Sequence, residues 1–556
     1  MRYNLALSFP RKQTANTFNK MGKYFIRQAV DGLIISTNDL KNTITFPIIL
    51  DAEVITEGVI WRDWHGAGSV FEKTVDNAFK TLVYRFGVTE LGAEIEVDVT
   101  YKSDQDVEIE GIEAEVSPEF IMTKDTNVHV EGNAVVAGIM DSGNLGLYTD
   151  YGELQAHYVV NADASVTLYK DQRRLTLENR KLKFTILAES APVRILCQPD
   201  GRNTTFTVVI HADGQNPDTL GAVIYGASDP AHPNYGTKGF ISRGIKGTGT
   251  TFAVTHGEGS FYGFDNEAFR NILLAMRTAG FEIGPHSILN GDDNRNDAIT
   301  KLPNFDTYFL SRNWIDHNLS AGARTLGVAS LGWDTTEAGY YIMDLLESYG
   351  YEYAWSYQDD NATNKNQLHE DQYNFPFHLV YQNPHLVMPI SGEPVWLYRN
   401  TLEASRHLAI AVAPDCECII DEWIKQCGVI TDHDYIAYPG RDGETFNAGT
   451  PYLITAKFDT ALAYLQTKIA AEEIWNPTMS QFCDYFRKLL NISVEVGNGR
   501  FTVINTGGMV GGCSFLIGAE KAVIPYIGGV AIDYKHVTRG TICWVDIPNG
   551  ETVITY

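Results

Sequence analysis

Between residues 41 and 200 apolar and polar residues alternate with a period of two. Ala93-Glu-Ile-Glu-Val-Asp-Val-Thr-Tyr101 is a long run of this kind, and Val107–Glu110, Ser165–Tyr169 and Leu182–Ile186 repeat it. Alternation buries one face of a strand and wets the other, so this stretch predicts one or two antiparallel β-sandwich-like domains. Residues 1–40 lack such a pattern and are expected to form an arm or attachment segment.

From residue 201 to 490 the rhythm changes to strand, loop, helix. Phe206–Ile210 and Thr251–Thr255 read as short buried strands. A helix is expected from Asp265 as N-cap, with Phe269, Ile272, Leu273 and Met276 on one face, ending at Gly280 before a strand at Phe281-Glu-Ile283. The unit recurs as a helix over 335–349, then Gly350 and a strand at Tyr351–Trp355. Serial helix–Gly–strand units predict a parallel barrel or sheet, whose functional groups collect at the C-terminal ends of the strands. Residues 491–556 return to strands. Ile492–Val496 and Phe501–Ile504 flank Gly497-Asn-Gly-Arg500, a hairpin signal, and Cys543–Ile547 with Thr552–Tyr556 around Pro548-Asn-Gly-Glu551 predict a second hairpin. The expected fold class is therefore multidomain, α/β plus all-β: a central distorted (β/α) barrel flanked by N-terminal and C-terminal β-sandwich-like domains.

Composition narrows the functional classes. A chain of 556 residues exceeds one core, and 44% hydrophobic with 20% charged residues is a globular balance. The formal charge of −26 and the lack of a basic stripe exclude nucleic acid as a partner. Seven scattered cysteines do not make a disulfide framework, and Cys416-x-Cys418 lacks the spacing of a zinc knuckle, so free thiols are expected. The N-terminal residues show no apolar run of about 7–15 residues to act as a signal peptide. No stretch reaches the roughly 20 apolar residues of a membrane span.

Candidate chemistry lies at the predicted strand ends. His211-Ala212-Asp213-Gly214 follows one strand and Gly284-Pro-His286-Ser-Ile-Leu-Asn290 follows another. A carboxylate and an imidazole on neighbouring strand tips can share a divalent cation, with Asn290 supplying a carbonyl oxygen. Taken singly, each has a plainer reading: an Asp-Gly turn and a hydrogen-bonded histidine.

Their order and spacing resemble a known family. Ala279-Gly-Phe-Glu-Ile-Gly-Pro-His-Ser-Ile-Leu-Asn290 is similar to the second conserved stretch of the polysaccharide deacetylase domain (NodB-homology, carbohydrate esterase family 4), and Val208-Val-Ile-His-Ala-Asp-Gly214 resembles the first. Gly428-Val-Ile-Thr-Asp-His433 resembles the late stretch that carries the general acid, and Ile474-Trp-Asn-Pro-Thr478 a closing segment. The resemblance covers about half of the chain and implies a metal-dependent deacetylase of an N- or O-acetylated polysaccharide. It makes Asp213, His286 and Asn290 ligands to a divalent ion, Zn²⁺ or else Co²⁺ or Ni²⁺, and His433 the acid that protonates the leaving group.

Three positions depart from the family, the first being Asn290, a weaker neutral donor where the third ligand is normally a histidine. Ala212 stands where the family has its base, and Ala329 falls where an arginine orients that base. Either another group acts as base, with His211, Asp334 and Glu258 as candidates, or hydrolysis is lost and the domain binds sugar or scaffolds. Trp314, Trp333, Trp355, Tyr357 and Trp396 lie near predicted strand ends, where rings can stack on sugars or simply pack the core. A family that acts outside the cell, on a chain without a visible export signal, fits a phage tail fibre or spike that assembles as a homo-oligomer through its N-terminal region. A glycosidase using two carboxylates ranks last, because no acid pair stands out.

Overall fold

The computed structural model describes residues 193–257, 261–315, 337–355, 429–439, 445–447, 449–489, 491–497, 499–518, 522–537 and 540–556. To these it adds the isolated positions 326, 332, 420, 421, 424 and 427, and the backbones of strands between 24 and 187 and at 388–389 and 396–398. The chain divides into two compact units, Cys197–Arg487 and a second made of Met1–Leu196 with Lys488–Tyr556.

The Cys197–Arg487 unit is mixed α/β around a curled parallel half-barrel. Its strands are β1 (Thr204–Ile210), β2 (Thr248–Thr251), β3 (Glu282–Pro285), β4 (Asn313–Ile315), β5 (Tyr353–Trp355), β6 (Met388–Pro389), β7 (Trp396–Tyr398), β8 (Val429–Asp434) and β9 (Ile474–Trp475). One sheet runs β3-β2-β1-β8 in parallel, with β9 also parallel to β1; the other runs β4-β5-β7-β6, antiparallel only at its β6 edge. A single parallel bridge between His286 and Ile315 connects β3 to β4 across the two sheets. Among the described residues nothing pairs β7 with β8, so the expected barrel is seen as a half-barrel.

Register decides which side chains point inward. Ile210 is level with Gly249, and Gly249 with Ile283. Gly249 lies against Met276 of the helix α3 (Glu267–Thr278), so Phe206, Val208 and Ile210 face the helices. The opposite face carries Thr205, Thr207, Val209, Thr248 and Thr250, and the same parity continues to His211 and His286. All seven positions of β1 are buried, as a strand covered on both faces requires.

Helix boundaries follow local capping chemistry. The helix α1 (Pro217–Tyr225) begins with an Asn216–Thr219 capping box and proline in its first turn, and ends at Gly226 with φ 91°. Next comes the short α2 (Gly239–Ser242), then α3, which is capped by Asn266 and not by the predicted Asp265. Asp265 instead accepts from the backbone N and hydroxyl of Thr255, at 2.8 and 2.7 Å. This belongs to a larger difference: the strand expected at Thr251–Thr255 ends at Thr251, because beyond it the chain turns to bridge Phe252 to Gly263. The helix α4 (Arg295–Phe309) starts with an Asn294–Asp297 capping box. The helix expected over 335–349 is shorter; α5 covers Met343–Ser348, with Ile342 and Leu346 buried. Finally come α6 (Ala456–Ala470), capped by Thr455, and α7 (Met479–Leu489).

The N-terminal ends of the strands are closed by polar groups. Asn476 donates from Nδ2 to the carbonyls of Phe206 and Lys246, both at 2.9 Å, and accepts from the Lys246 amide at 2.9 Å. Glu282 accepts from the Ser480 hydroxyl and, at 3.0 Å, from the Ser480 amide at the start of α7. Burial raises the Glu282 carboxyl above its usual range, and the Ser480 hydrogen bonds oppose that shift.

Among the described residues, every strand pair of the second unit is antiparallel. One sheet of six strands starts with Tyr24–Gln28 and Gly32–Thr37, which lie inside the segment expected to be an arm. A sheet of eight strands contains Gly92–Tyr101 paired with Arg180–Leu187, two of the alternating runs. Val107–Glu110 lies outside the described residues. The Ile492–Gly497 and Arg500–Asn505 hairpin forms, with Gly499 at φ 64°. The second expected hairpin does not. Gly540–Ile547 pairs with Val510–Ile517 and Asp533–Val537, while Gly550–Thr555 pairs with Arg500–Asn505 in another sheet. Asn505 fixes this crossover by donating to the carbonyls of Ile547 and Pro548, at 3.1 Å each. Val193–Ile195 also joins the C-terminal strands by pairing with Val510–Ile517.

Five cysteines, Cys197, Cys427, Cys483, Cys513 and Cys543, are free and buried; Cys416 and Cys418 lie outside the described residues. No helix among the described residues is long and apolar enough to cross a membrane.

Candidate metal centre

Two strand ends build the centre. At the end of β1, His211 and Asp213 are two residues apart and leave the chain on the same side. The strand ends at Ile210, and the chain turns just beyond the two side chains at Gly214, φ 69°. Gln215 locks the turn: its side-chain amide Nε2 donates to the His211 carbonyl, and its backbone N to that of Ala212 at 3.4 Å. A Cβ on Gly214 would overlap the ring of Tyr438, so glycine is required by space as well as by φ.

His286 comes from the end of β3. Its backbone N donates to Thr251 on β2 at 2.9 Å, and the next amide, of Ser287, donates to Ile315 on β4 at 2.9 Å. The segment is thereby stitched to a strand on each side. Ser287 takes φ 49°, a left-handed conformation rare for serine. Asp293 holds the loop beyond it. Its Oδ2 accepts from the amides of Ile288 and Leu289 at 2.9 and 3.4 Å, and its Oδ1 from that of Leu326 at 2.9 Å. Burial pushes the Asp293 carboxyl up to about 6, against the pull of these three amides.

The result is a compact donor set. Nδ1 of His211 lies 3.0 Å from Oδ2 of Asp213, and Nε2 of His286 lies 3.8 Å from the same oxygen. One ligand atom from each of the three residues falls within 4.8 Å of the others. The imidazole centroids are 3.9 Å apart with planes at 79°. A Zn²⁺ ion bound at about 2.0–2.2 Å holds tetrahedral neighbours roughly 3.3–3.6 Å apart. The two measured separations straddle that value, and two nitrogens with one carboxylate oxygen are a donor set that divalent transition metals accept. Both histidines are wholly buried, whereas the Asp213 side chain is 16% exposed, so the centre opens on the Asp213 side.

Aromatic rings wall the centre. Tyr435 lies 4.3 Å from His211 and Phe252 5.3 Å from His286, centroid to centroid. Tyr435 follows the end of β8, where backbone register sets His433 beside Val209. The His433 side chain lies outside the described residues, as do Glu258, Ala329, Trp333, Asp334 and Tyr357. Asn290 is half-buried on the loop after His286. Ala212 is fully buried. Trp314 is also fully buried, 6.5 Å from Tyr351, so it packs the core and is closed to a sugar ring.

Sequence reasoning separated roles that the structure brings together: His211, read as a base, sits in the same cluster as Asp213 and His286. The His-x-Asp spacing at a strand end carries that signal, since residues two apart share a face. Asp293 and Tyr438 were missed. An acid directly before the Asn294 capping box marks Asp293, whereas nothing in the sequence links Tyr438 to Gly214.

No family model matches this chain, and no curated protein matches it. Among solved structures, the crystal structure of a beta-arabinopyranosidase aligns over 96% of this chain and 98% of its own, with 9% identity and a TM-score of 0.36. An alpha-N-acetylgalactosaminidase from Bifidobacterium bifidum, a quadruple mutant, aligns over 89% and 97%, with 9% identity and a TM-score of 0.29. Similarity this low assigns neither a fold nor an activity.

Proposed function

We propose that this chain is a metal-dependent deacetylase acting on an N- or O-acetylated polysaccharide, in a divergent version of the polysaccharide deacetylase arrangement. The observation that carries this reading is the convergence of His211, Asp213 and His286 at the C-terminal ends of parallel strands, within 4.8 Å of one another. A bound divalent cation supplies Lewis-acid polarisation of an acetyl carbonyl and a water of lowered pKa. In this reading His211 is a ligand and not the base, because its Nδ1 is already 3.0 Å from Asp213. Asn290 is retained as a further oxygen donor. His433 is the acid: Tyr435, which directly follows β8, packs its ring on His211, so this strand end reaches the centre. Asp213, the exposed edge of the cluster, lies where substrate enters.

The full chain, treated with chelator and reloaded with Zn²⁺, is assayed for acetate release from acetylated glycans. About one equivalent of bound metal is expected, with acetate release abolished in Asp213→Ala. His433→Ala is expected to bind the metal normally and lose at least about 100-fold in rate. Absence of bound metal together with absence of released acetate rejects the proposal.

Ala212 favours a second reading. A fully buried methyl stands where the family places its base. In that reading the domain binds the glycan without hydrolysing it. Metal-loaded protein retained on an acetylated-glycan column, with no acetate released, selects it.

A further inference from the structure

We propose that Asp293 is a positioning residue for His286, holding the loop so that Ser287 keeps the left-handed backbone that points the imidazole at Asp213. This rests on the cation reading above and names the part of the fold that sets the geometry of the donor set.

Ser287 is the hinge of the segment. Its φ of 49° is a conformation an L side chain resists, and it separates the His286 ligand from a loop with no strand to hold it. Backbone bonds fix the near side, from His286 to Thr251 and from Ser287 to Ile315. On the far side the Ile288 carbonyl accepts from Ala253 at 2.9 Å, but its amide, and that of Leu289, have the Asp293 carboxylate as acceptor. The carboxylate uses both oxygens, because Oδ1 takes the Leu326 amide. Its own position is anchored, since the next residue, Asn294, caps the 15-residue helix α4. A buried acid, held up to about 6 by burial, stays ionised near neutrality and so remains a pure acceptor for three N–H groups. A ligand's orientation set by a partner one step removed is the usual way a protein tunes a metal centre.

Asn in place of Asp keeps one acceptor oxygen and sets an NH₂ against the remaining amide. Asp293→Asn should therefore release one side of the loop and let Ser287 relax. The test is competitive Zn²⁺ titration of the full chain against a chromophoric chelator, with the visible spectrum of the Co²⁺ form as a report on coordination. Asp293→Asn is expected to weaken Zn²⁺ binding about 10-fold and to shift the Co²⁺ bands. Ser287→Gly, which removes the resistance to positive φ, is expected to restore most of that affinity when added to Asp293→Asn. A merely structural role for Asp293 would not be rescued in this way. Ser287→Val, with Asp293 intact, is expected to weaken binding to a similar extent, and keeps the test open should Asp293→Asn not fold.

Zn²⁺ affinities within about twofold of the parent in folded Asp293→Asn, or in Ser287→Val, overturn the proposal while leaving the cation reading intact. So does a double variant no tighter than Asp293→Asn alone. A parent protein that binds no Zn²⁺ removes the cation reading and this proposal together.

Discussion

Nδ1 of His211 and Oδ2 of Asp213 lie 3.0 Å apart across a single intervening residue, at the point where a buried strand meets a Gly214 turn. In a continuing strand, residues two apart stand on one face about 6.6–7 Å from each other. The side chains themselves span that gap just beyond the end of β1. Two same-face side chains thereby become two donors for one centre, and His286 on the next strand but one supplies the third.

Removing a donor should expose this arrangement. His211→Ala and Asp213→Ala are each expected to weaken Zn²⁺ binding by at least about 100-fold, measured by competition with a chelator. Zn²⁺ at 100 times its Kd should stabilise the parent by about 2.7 kcal/mol against denaturant, and both variants should lose that increment.

Gly214 and Tyr438 should behave as a coupled pair. Gly214→Ala places a methyl in the space of the Tyr438 ring and a side chain at φ 69°. A loss of about 2–4 kcal/mol is expected from overpacking and the left-handed backbone together. Adding Tyr438→Ala should recover the overpacking part only, and a double-mutant cycle in urea measures it.

Asp293 should make stability depend on pH in a recognisable direction. Its carboxyl is raised from 3.8 to about 6 in the folded protein. Between those values the folded chain holds a proton that the unfolded chain has released, so stability is fully present below about pH 4 and falls as pH rises through 6. The loss amounts to about 3 kcal/mol. With chelator present, the stability advantage of the parent over Asp293→Asn should shrink by roughly that much from pH 4 to pH 7.

Asn476 should be costly to truncate although it lies far from the donor set. Asn476→Ala strips partners from the Phe206 and Lys246 carbonyls and the Lys246 amide. About 3 kcal/mol of destabilisation is expected, read by denaturant unfolding. Zn²⁺ affinity of the folded variant should be unchanged.

The chain's own pattern determined the elements whose cause is local. Alternation marked Gly92–Tyr101 and Arg180–Leu187, an apolar run marked β1, and Asn498-Gly499 marked the hairpin, because period-two burial and positive φ are properties of short segments. It also put His211, Asp213 and His286 at strand ends. Tertiary structure decided the rest. Two C-terminal strands that look like a hairpin join different sheets, since Asn505 captures the carbonyls between them. The strand expected at Thr251–Thr255 stops early because Phe252 bridges to Gly263. Trp314 near a strand end is core, and Asp293, ordinary as a loop acid, is the acceptor for three backbone amides. Sequence spacing fixes which face a side chain leaves from. Only the register between strands, and the loops that fold back on them, fixes which donors meet: the distance between β1 and β3 is set by β2 lying between them, through hydrogen bonds that no single segment contains.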